Sequence, residues 1–470
     1  MTTVTYSPKE ISAVSKKYVK LVVTENPQNW HRLVECTDGS LEYRLGSDKK
    51  DKMTPRGFIT FCRLIVQAGK SHQLENLAIS FDELQFPKVV AKYGEVWLAE
   101  TLAENLSLGA YTFTKYKSKP INEKFLTEVL VCKIKEQNTK KGFERGLTVA
   151  KYVNSARDIA NTTAEDMTPA KLGKAATDLV RGLKVQVKVL GEKELKKLKM
   201  GLLLAVGQGT KHESKLIVME YYGAGKSAKN KPLVLIGKGI TYDTGGLNIK
   251  PSGHMHDMHM DMSGGSSVIS AIACAAKLGL KKNIIAIIPS AENAVSDSSM
   301  RAGDIVTAMN GKTVEILHTD AEGRLVLADA LTNAQRYDPK IVLDVATLTG
   351  AAIGALGQHA SAIMTKDEKL ETILRVLGEE SGDYVWPLPV WDEYQQHIKS
   401  SRADISNIAT NFSRYGGAIV GAIFLTHFDP KCPWAHIDIA PRMESIPSDK
   451  LVKGSTGEPV RLLIRFLEQN

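Results

Sequence analysis

Cysteine is scarce in this chain of 470 residues: there are five, Cys36, Cys62, Cys132, Cys274 and Cys432. Their number is odd, they are scattered, and no two form a C-x-x-C pair. This argues against a disulfide framework and against a thiolate zinc site, and points to the reduced thiols of an intracellular protein. No run of eighteen apolar residues occurs, so neither a transmembrane helix nor a membrane partner is expected. The opening residues, MTTVTYSPKEISAVSKKYVK, lack the apolar core and small-residue cleavage site of a secretory signal, and a cytoplasmic location is expected. Internal repeats and low-complexity segments are missing too. So are helix-turn-helix, zinc-finger and RNA-binding signatures, which leaves nothing to support nucleic acid as the principal partner.

What is present is ordinary for a globular protein, with 43% apolar and 24% charged residues. The length suggests two or three domains. The formal charge is +9, and residues 1–150 hold 23 Lys+Arg against 17 Asp+Glu, six of the nine excess charges. A basic balance permits contact with an anionic partner without establishing it, and here it reads as solvated helix and loop surface.

The first 150 residues mix strand-like runs such as KLVVTE and TEVLVCKI with helical stretches such as RGFITFCRLIVQAG. They show no site chemistry. A helix followed by a polar break around Thr148–Thr168 places a boundary near residue 150, dividing a smaller domain, 1–150, from a larger one, 151–470. Beyond it, short apolar runs end in turn residues: PLVLIGKG (232–239), NIIAIIP (283–289) and KIVLDVAT (340–347). Such runs suit strands buried on both faces. Helical segments at 266–279 and 323–337 lie between them. The alternation predicts an α/β fold with a central mixed, mostly parallel sheet, and ligands beyond the carboxyl ends of its strands.

Two segments carry chemistry. The first, IGKGITYDTGGLNIKPSGHMHDMHMDMSGGSS (236–267), leads from a buried strand into a loop with Lys238, Asp243, Lys250 and Asp261. It also holds His254, His256 and His259. The second, EILHTDAEGRLVLADAL (315–331), runs from a strand into Asp320, Glu322 and Arg324 and then a helix. If the backbone is still extended there, Asp320 and Glu322 leave the same face, and of two carboxylates so close one stays protonated unless a cation sits between them. Taken alone, the T-D-A-E stretch has a second reading, in which Asp320 caps the helix. Four carboxylates exceed the needs of one tetrahedral metal, so a pair of metals is plausible.

HTDAEGRLVLADAL closely resembles the NTDAEGRL signature of the leucyl aminopeptidase (M17) family of metallopeptidases. GKGITYDTGG, IKPS and MDMSGG match the same family in order and spacing, and ARDIANTTAEDMTP, LAVGQGT, DVATLTGA, WAHIDIA and GSTGEPVRLLIRFL resemble further blocks of it. The resemblance covers about residues 150–467. It implies a co-catalytic metal pair, usually zinc, with manganese or cobalt exchangeable at one position. Asp243, Asp320 and Glu322 would hold one metal; Lys238, Asp243, Asp261 and Glu322 would hold the other. Lys250 would stabilise the oxyanion, and Arg324 would anchor a bicarbonate serving as general base. Met258, Thr347, Leu348, Gly350, Ala440 and Met443 would bind the substrate. None of the three histidines is required as a ligand.

The resemblance further implies removal of leucine and other apolar residues from the amino end of peptides, by a homohexamer. Some bacterial members also bind DNA, with which the basic N-terminal third is compatible, and a Cys-Gly dipeptidase would use the same chemistry. Two departures stand out: His318 replaces the signature asparagine, and Thr163 replaces a proline. Neither removes a ligand.

Overall fold

The computed structural model describes residues 2–28, 30–47, 49–118, 126–227, 230–411 and 415–470. It divides into two compact units. One holds the chain through Asn154 together with Ser445–Lys453, and the other holds Ser155–Glu444 and Gly454–Asn470. The excursion 445–453 is closed at its base by a bridge between Glu444 and Ser455. Within the first unit, Arg63 donates to the Asp449 carbonyl (3.0 Å) and to Asn105 (2.9 Å). The first unit is therefore not one continuous stretch, because a segment far along the chain supplies an acceptor to its buried Arg63.

In chain order the first unit contains β1 (Thr3–Tyr6), β2 (Val19–Thr24), β3 (His31–Glu35), β4 (Leu41–Gly46), α1 (Pro55–Ser71), β5 (Asn76–Ser80), α2 (Pro87–Ala110), β6 (Glu128–Cys132) and α3 (Gln137–Asn161), the last running into the second unit. Its sheet has the order β1-β6-β5-β2-β4-β3, parallel except for the β3 edge. Thr54 caps α1 by accepting from the Gly57 N–H, and Pro55 fills the first position, where no N–H is needed. The buried face of α1, with Phe58, Phe61, Cys62 and Ile65, packs on the sheet.

The second unit continues with α4 (Pro169–Leu179), β7 (Val185–Leu190), α5 (Glu192–Lys197), α6 (Gly201–Gly207), β8 (Lys215–Tyr222), β9 (Leu233–Gly237), β10 (Gly239–Asp243), α7 (Ser263–Leu278), β11 (Asn283–Asn293), β12 (Ile305–Thr307), β13 (Thr313–Glu315), α8 (Glu322–Ala334), β14 (Ile341–Ala346), α9 (Gly350–Leu356), β15 (Ser361–Met364), α10 (Glu368–Ser381), β16 (Val385–Pro387), β17 (Ile405–Ser406), α11 (Gly417–Thr426), β18 (Trp434–Asp438) and α12 (Val460–Gln469). The main sheet runs β16-β15-β18-β14-β9-β11-β8-β7, with β10 added beside β11. The fold is thus α/β with a mixed, mostly parallel central sheet. Every residue of β9 and β11 is buried, which is why the runs at 232–239 and 283–289 read as continuous apolar stretches and not as alternating ones. A separate small sheet, β12-β13-β17, stands apart. Among the described residues no helix is long and apolar enough to cross a membrane.

Strands β18, β14, β9, β11 and β10 are mutually parallel. Their carboxyl ends therefore open on one edge of the sheet. Asp438, Asp243 and Asn293 are the last residues of β18, β10 and β11, and Thr347 and Lys238 directly follow β14 and β9. Helix α7 approaches this edge so closely that a Cβ on Gly264 would lie 2.1 Å from the Val345 carbonyl oxygen, the atom that accepts from the Lys238 N–H. Gly264→Ala is expected to push α7 off the sheet at a cost of about 1–3 kcal/mol, as overpacking does. A thermal melt should show the loss, and an unchanged midpoint would mean that the helix yields freely.

Candidate active site

The first carboxylates arrive by two different routes. Asp243 is delivered by β10. Asp261 sits in the turn that enters α7, and Asp320 and Glu322 in the turn that enters α8. The expected extended backbone is not what pairs the last two: β13 ends at Glu315, and the Ala321 N–H closes a turn on the His318 carbonyl (3.2 Å). Nor does Asp320 cap the helix. Position Ala321 precedes α8, and no side-chain cap bond forms. Asp320 and Glu322 share one side because a turn followed by the first helical residue brings them there.

Asp243, Asp320 and Glu322 each offer an oxygen within 4.8 Å of the others, and no other group of this kind exists among the described residues. Lys238 Nζ lies 2.8 Å from Asp261, 2.8 Å from Glu322 and 3.0 Å from the Thr347 carbonyl. Gly323 leaves room for it: a Cβ there would sit 2.7 Å from Nζ. Lys250 Nζ bridges Asp243 (2.7 Å) and Asp320 (2.5 Å). Burial raises the carboxyls of Asp261 and Glu322 to about 7 and that of Asp320 to about 6. Burial also opposes the ammonium charge of both lysines, but the carboxylates around them outweigh it and hold both above the ordinary lysine value. Four carboxylates thus face two ammonium groups, and Glu322 Oε2 is buried with no hydrogen-bond partner among the described residues. A hard, oxygen-rich donor set with surplus negative charge suits divalent cations.

Arg324 differs from the lysines. Its guanidinium is buried, its pKa lowered to about 10 by that burial, and no carboxylate lies within ion-pair distance among the described residues. Nη1 donates to the Asn407 carbonyl (2.7 Å), while Nε has no partner among the described residues. A buried guanidinium with a free N–H suits an anion.

These residues line one cavity of about 680 Å³. Met258, Thr347, Leu348, Gly350, Ala440 and Met443 line it as well, as do His254 and His318. The Thr347 hydroxyl donates to Asp261 (2.7 Å), so it serves a carboxylate within the protein. His318 is half-buried. Its Nδ1 accepts from the Asp320 N–H (3.2 Å), and burial lowers its pKa. Of the three loop histidines, His254 reaches the cavity wall. His256 is exposed beside Asp257, and His259 is half-buried with its pKa lowered by burial.

Several residues that the motifs did not single out organise the site. Asn293 Nδ2 donates to Asp243 Oδ1 (2.8 Å) and to the Thr319 carbonyl (3.0 Å), linking two carboxylate-bearing segments. The loop 244–250 turns through Gly245 and Gly246, both at positive φ (86° and 64°). Thr319 and Asn248 then clasp it: Thr319 Oγ1 donates to the Gly245 carbonyl (2.6 Å) and accepts from the Asn248 N–H (2.8 Å). Buried Asp438 accepts from the N–H groups of Leu348 and Ala440 (3.0 and 3.1 Å) and from the Thr349 hydroxyl (2.7 Å), fixing the apolar wall.

The loop histidines stand outside the carboxylate cluster. Replacing His254, His256 and His259 together with alanine is expected to leave metal stoichiometry and most turnover intact. Metal analysis of the purified variant checks this, and stoichiometric loss of an ion would place a ligand in the loop.

The catalytic-domain profile of the cytosol aminopeptidase family matches residues 154–464. A probable cytosol aminopeptidase of Saccharophagus degradans is 41% identical over 440 residues, 92% of this chain and 85% of that protein. That of Paraburkholderia phymatum is 41% identical over 392 residues, covering 83% and 76%. Among solved structures, the bottromycin maturation enzyme BotP superposes with a TM-score of 0.84 at 29% identity, over 96% of this chain and 98% of that one. The same enzyme in complex with Mn gives 0.85 at 29% identity, over 97% and 99%. The chain belongs to the cytosol aminopeptidase family, whose members are hydrolases that cut residues from the amino end of peptides.

Proposed function

We propose that the protein is a two-metal aminopeptidase that prefers leucine and other apolar N-terminal residues. The observation that carries this reading is the cluster of Asp243, Asp320 and Glu322 oxygens within 4.8 Å of one another, inside a cavity that also has an apolar wall. Asp243, Asp320 and Glu322 would hold one metal, and Lys238, Asp243, Asp261 and Glu322 the other. As a ligand Lys238 must give up its proton, so the second position is the more exchangeable one. Zinc fits the donors, with manganese or cobalt as exchange partners, and the manganese in the BotP complex supports the latter. When bound, the metal pair supplies a water of lowered pKa and a Lewis-acid contact, and a bicarbonate on Arg324 supplies a proton acceptor.

The chain's own residues do the rest. Lys250, held toward its charged form by the carboxylates around it against the opposing effect of burial, suits the role of a donor. It can donate to the oxygen of the scissile carbonyl as negative charge develops there. Arg324, charged and free at Nε, holds a planar anion by its fork. Met258, Leu348, Ala440 and Met443 offer an apolar surface to the first side chain, where one methylene is worth about 1–3 kcal/mol. Family resemblance also supports a homohexamer acting in the cytoplasm on peptides.

Treatment with a chelator is expected to abolish hydrolysis of a leucyl amide, and zinc, manganese or cobalt to restore it. Full activity in rigorously metal-free protein would overturn the reading. Lys250→Ala should retain the metals and lose roughly 10²–10³ in kcat, the usual cost of one oxyanion donor. A raised KM with unchanged kcat would make Lys250 a ground-state binding group instead.

A further inference from the structure

Asn407 directly follows β17, the strand that pairs in parallel with β13 through Val314↔Ile405 and Glu315↔Ser406. It is fully buried. All four of its polar groups are used, and all reach the segment that carries the site. Its N–H donates to the Glu315 carbonyl (3.0 Å). Its side-chain oxygen accepts from the N–H groups of Leu317 (2.8 Å) and His318 (3.3 Å), and Nδ2 donates to the His318 carbonyl (2.7 Å). Its own carbonyl accepts from Arg324 Nη1 (2.7 Å).

Residues 316–321 belong to no strand or helix. Without Asn407 the backbone groups of Leu317 and His318 lose these partners, and a buried unpaired backbone group is costly. A carboxamide is suited to the task because it presents an acceptor and a donor side by side, matching the N–H and C=O of a neighbouring strand. Leucine has the size but neither group. The same residue that registers the approach to Asp320 and Glu322 also fixes one end of the Arg324 guanidinium.

We infer that Asn407 is a positioning residue that sets the Asp320–Glu322 turn and the Arg324 guanidinium in register with each other. It acts through those residues and does not itself touch substrate. The inference rests on the reading of Asp320 and Glu322 as metal-holding and Arg324 as anion-holding.

The test compares the parent with Asn407→Leu, which removes both side-chain functions, and Asn407→Ser, which keeps a small hydroxyl. Circular dichroism and thermal melts establish folding. Metal-free proteins are then titrated with Mn²⁺ against a competing chelator dye, and kcat and KM are measured on a leucyl amide at saturating Mn²⁺. Asn407→Leu is expected to lose roughly 10–100-fold in Mn²⁺ affinity, the usual effect of removing a partner that orients ligands. At saturating metal its kcat should still be reduced, with KM little changed, because the 407 carbonyl that accepts from Arg324 is no longer tied through its own side chain to Leu317 and His318. Asn407→Ser should fall between Leu and the parent on both measures. A folded variant with a lowered melting point but parental Mn²⁺ affinity and kcat would overturn the inference and leave Asn407 a residue of the fold. Failure of both variants to fold would overturn it in the same way. If the parent itself neither binds Mn²⁺ nor needs it, the two-metal reading fails, independently of Asn407.

Discussion

Four carboxylates gathered in one cavity, with two ammonium groups in contact with them among the described residues, set the terms for the rest of the structure. Mutual repulsion and burial both oppose their ionisation, which is why Asp261, Asp320 and Glu322 are pushed toward neutral pH. A fold can hold such a group only if the backbone beneath it is rigid. Here rigidity comes from parallel strands buried on both faces, whose carboxyl ends converge, and from α7 and α8, which begin where those strands stop. Gly264 and Gly323 permit the close approach, one against the Val345 carbonyl and the other around the Lys238 side chain.

The same arrangement separates roles that charge alone would confuse. Lys238 and Lys250 lie among the carboxylates and are held charged by them. Arg324, also buried, has no acidic partner within ion-pair distance among the described residues and keeps its Nε–H unpaired there. Two kinds of cationic group therefore border one cavity, one neutralising the protein's own carboxylates and one open to an incoming anion. The apolar wall is built separately, from loops that Asp438 ties together through backbone N–H groups and the Thr349 hydroxyl.

Much of this was legible in the sequence. The runs at 232–239, 283–289 and 340–347 gave themselves away as buried strands because they do not alternate, and the glycine-flanked segments after them marked the strand ends. The motif resemblance assigned carboxylates that spacing alone could not, since Asp320 read equally well as a helix cap. What was hidden depends on pairing between distant segments. Asn407 lies in an unremarked stretch, ADISNIAT, and acquires its place only because β17 pairs with β13, about ninety residues earlier. Asn293 and Asp438 become significant only once β11 and β18 end beside β10 and β14. The Asp320–Glu322 pairing was anticipated from a strand period, whereas a turn produces it. The histidine-rich loop drew attention by composition, yet it joins the carboxylate cluster through Asp261 and not through its histidines.

The central claim is that the buried carboxylates, and not the neighbouring histidines, hold two metals. The most direct measurement is a crystal structure of the protein grown with Mn²⁺, with data collected at a wavelength where manganese scatters anomalously. The account predicts two anomalous peaks per chain, one contacting Asp243, Asp320 and Glu322 and the other contacting Lys238 and Asp261. An absence of peaks at these carboxylates, or peaks seated on His254, His256 or His259, would contradict it.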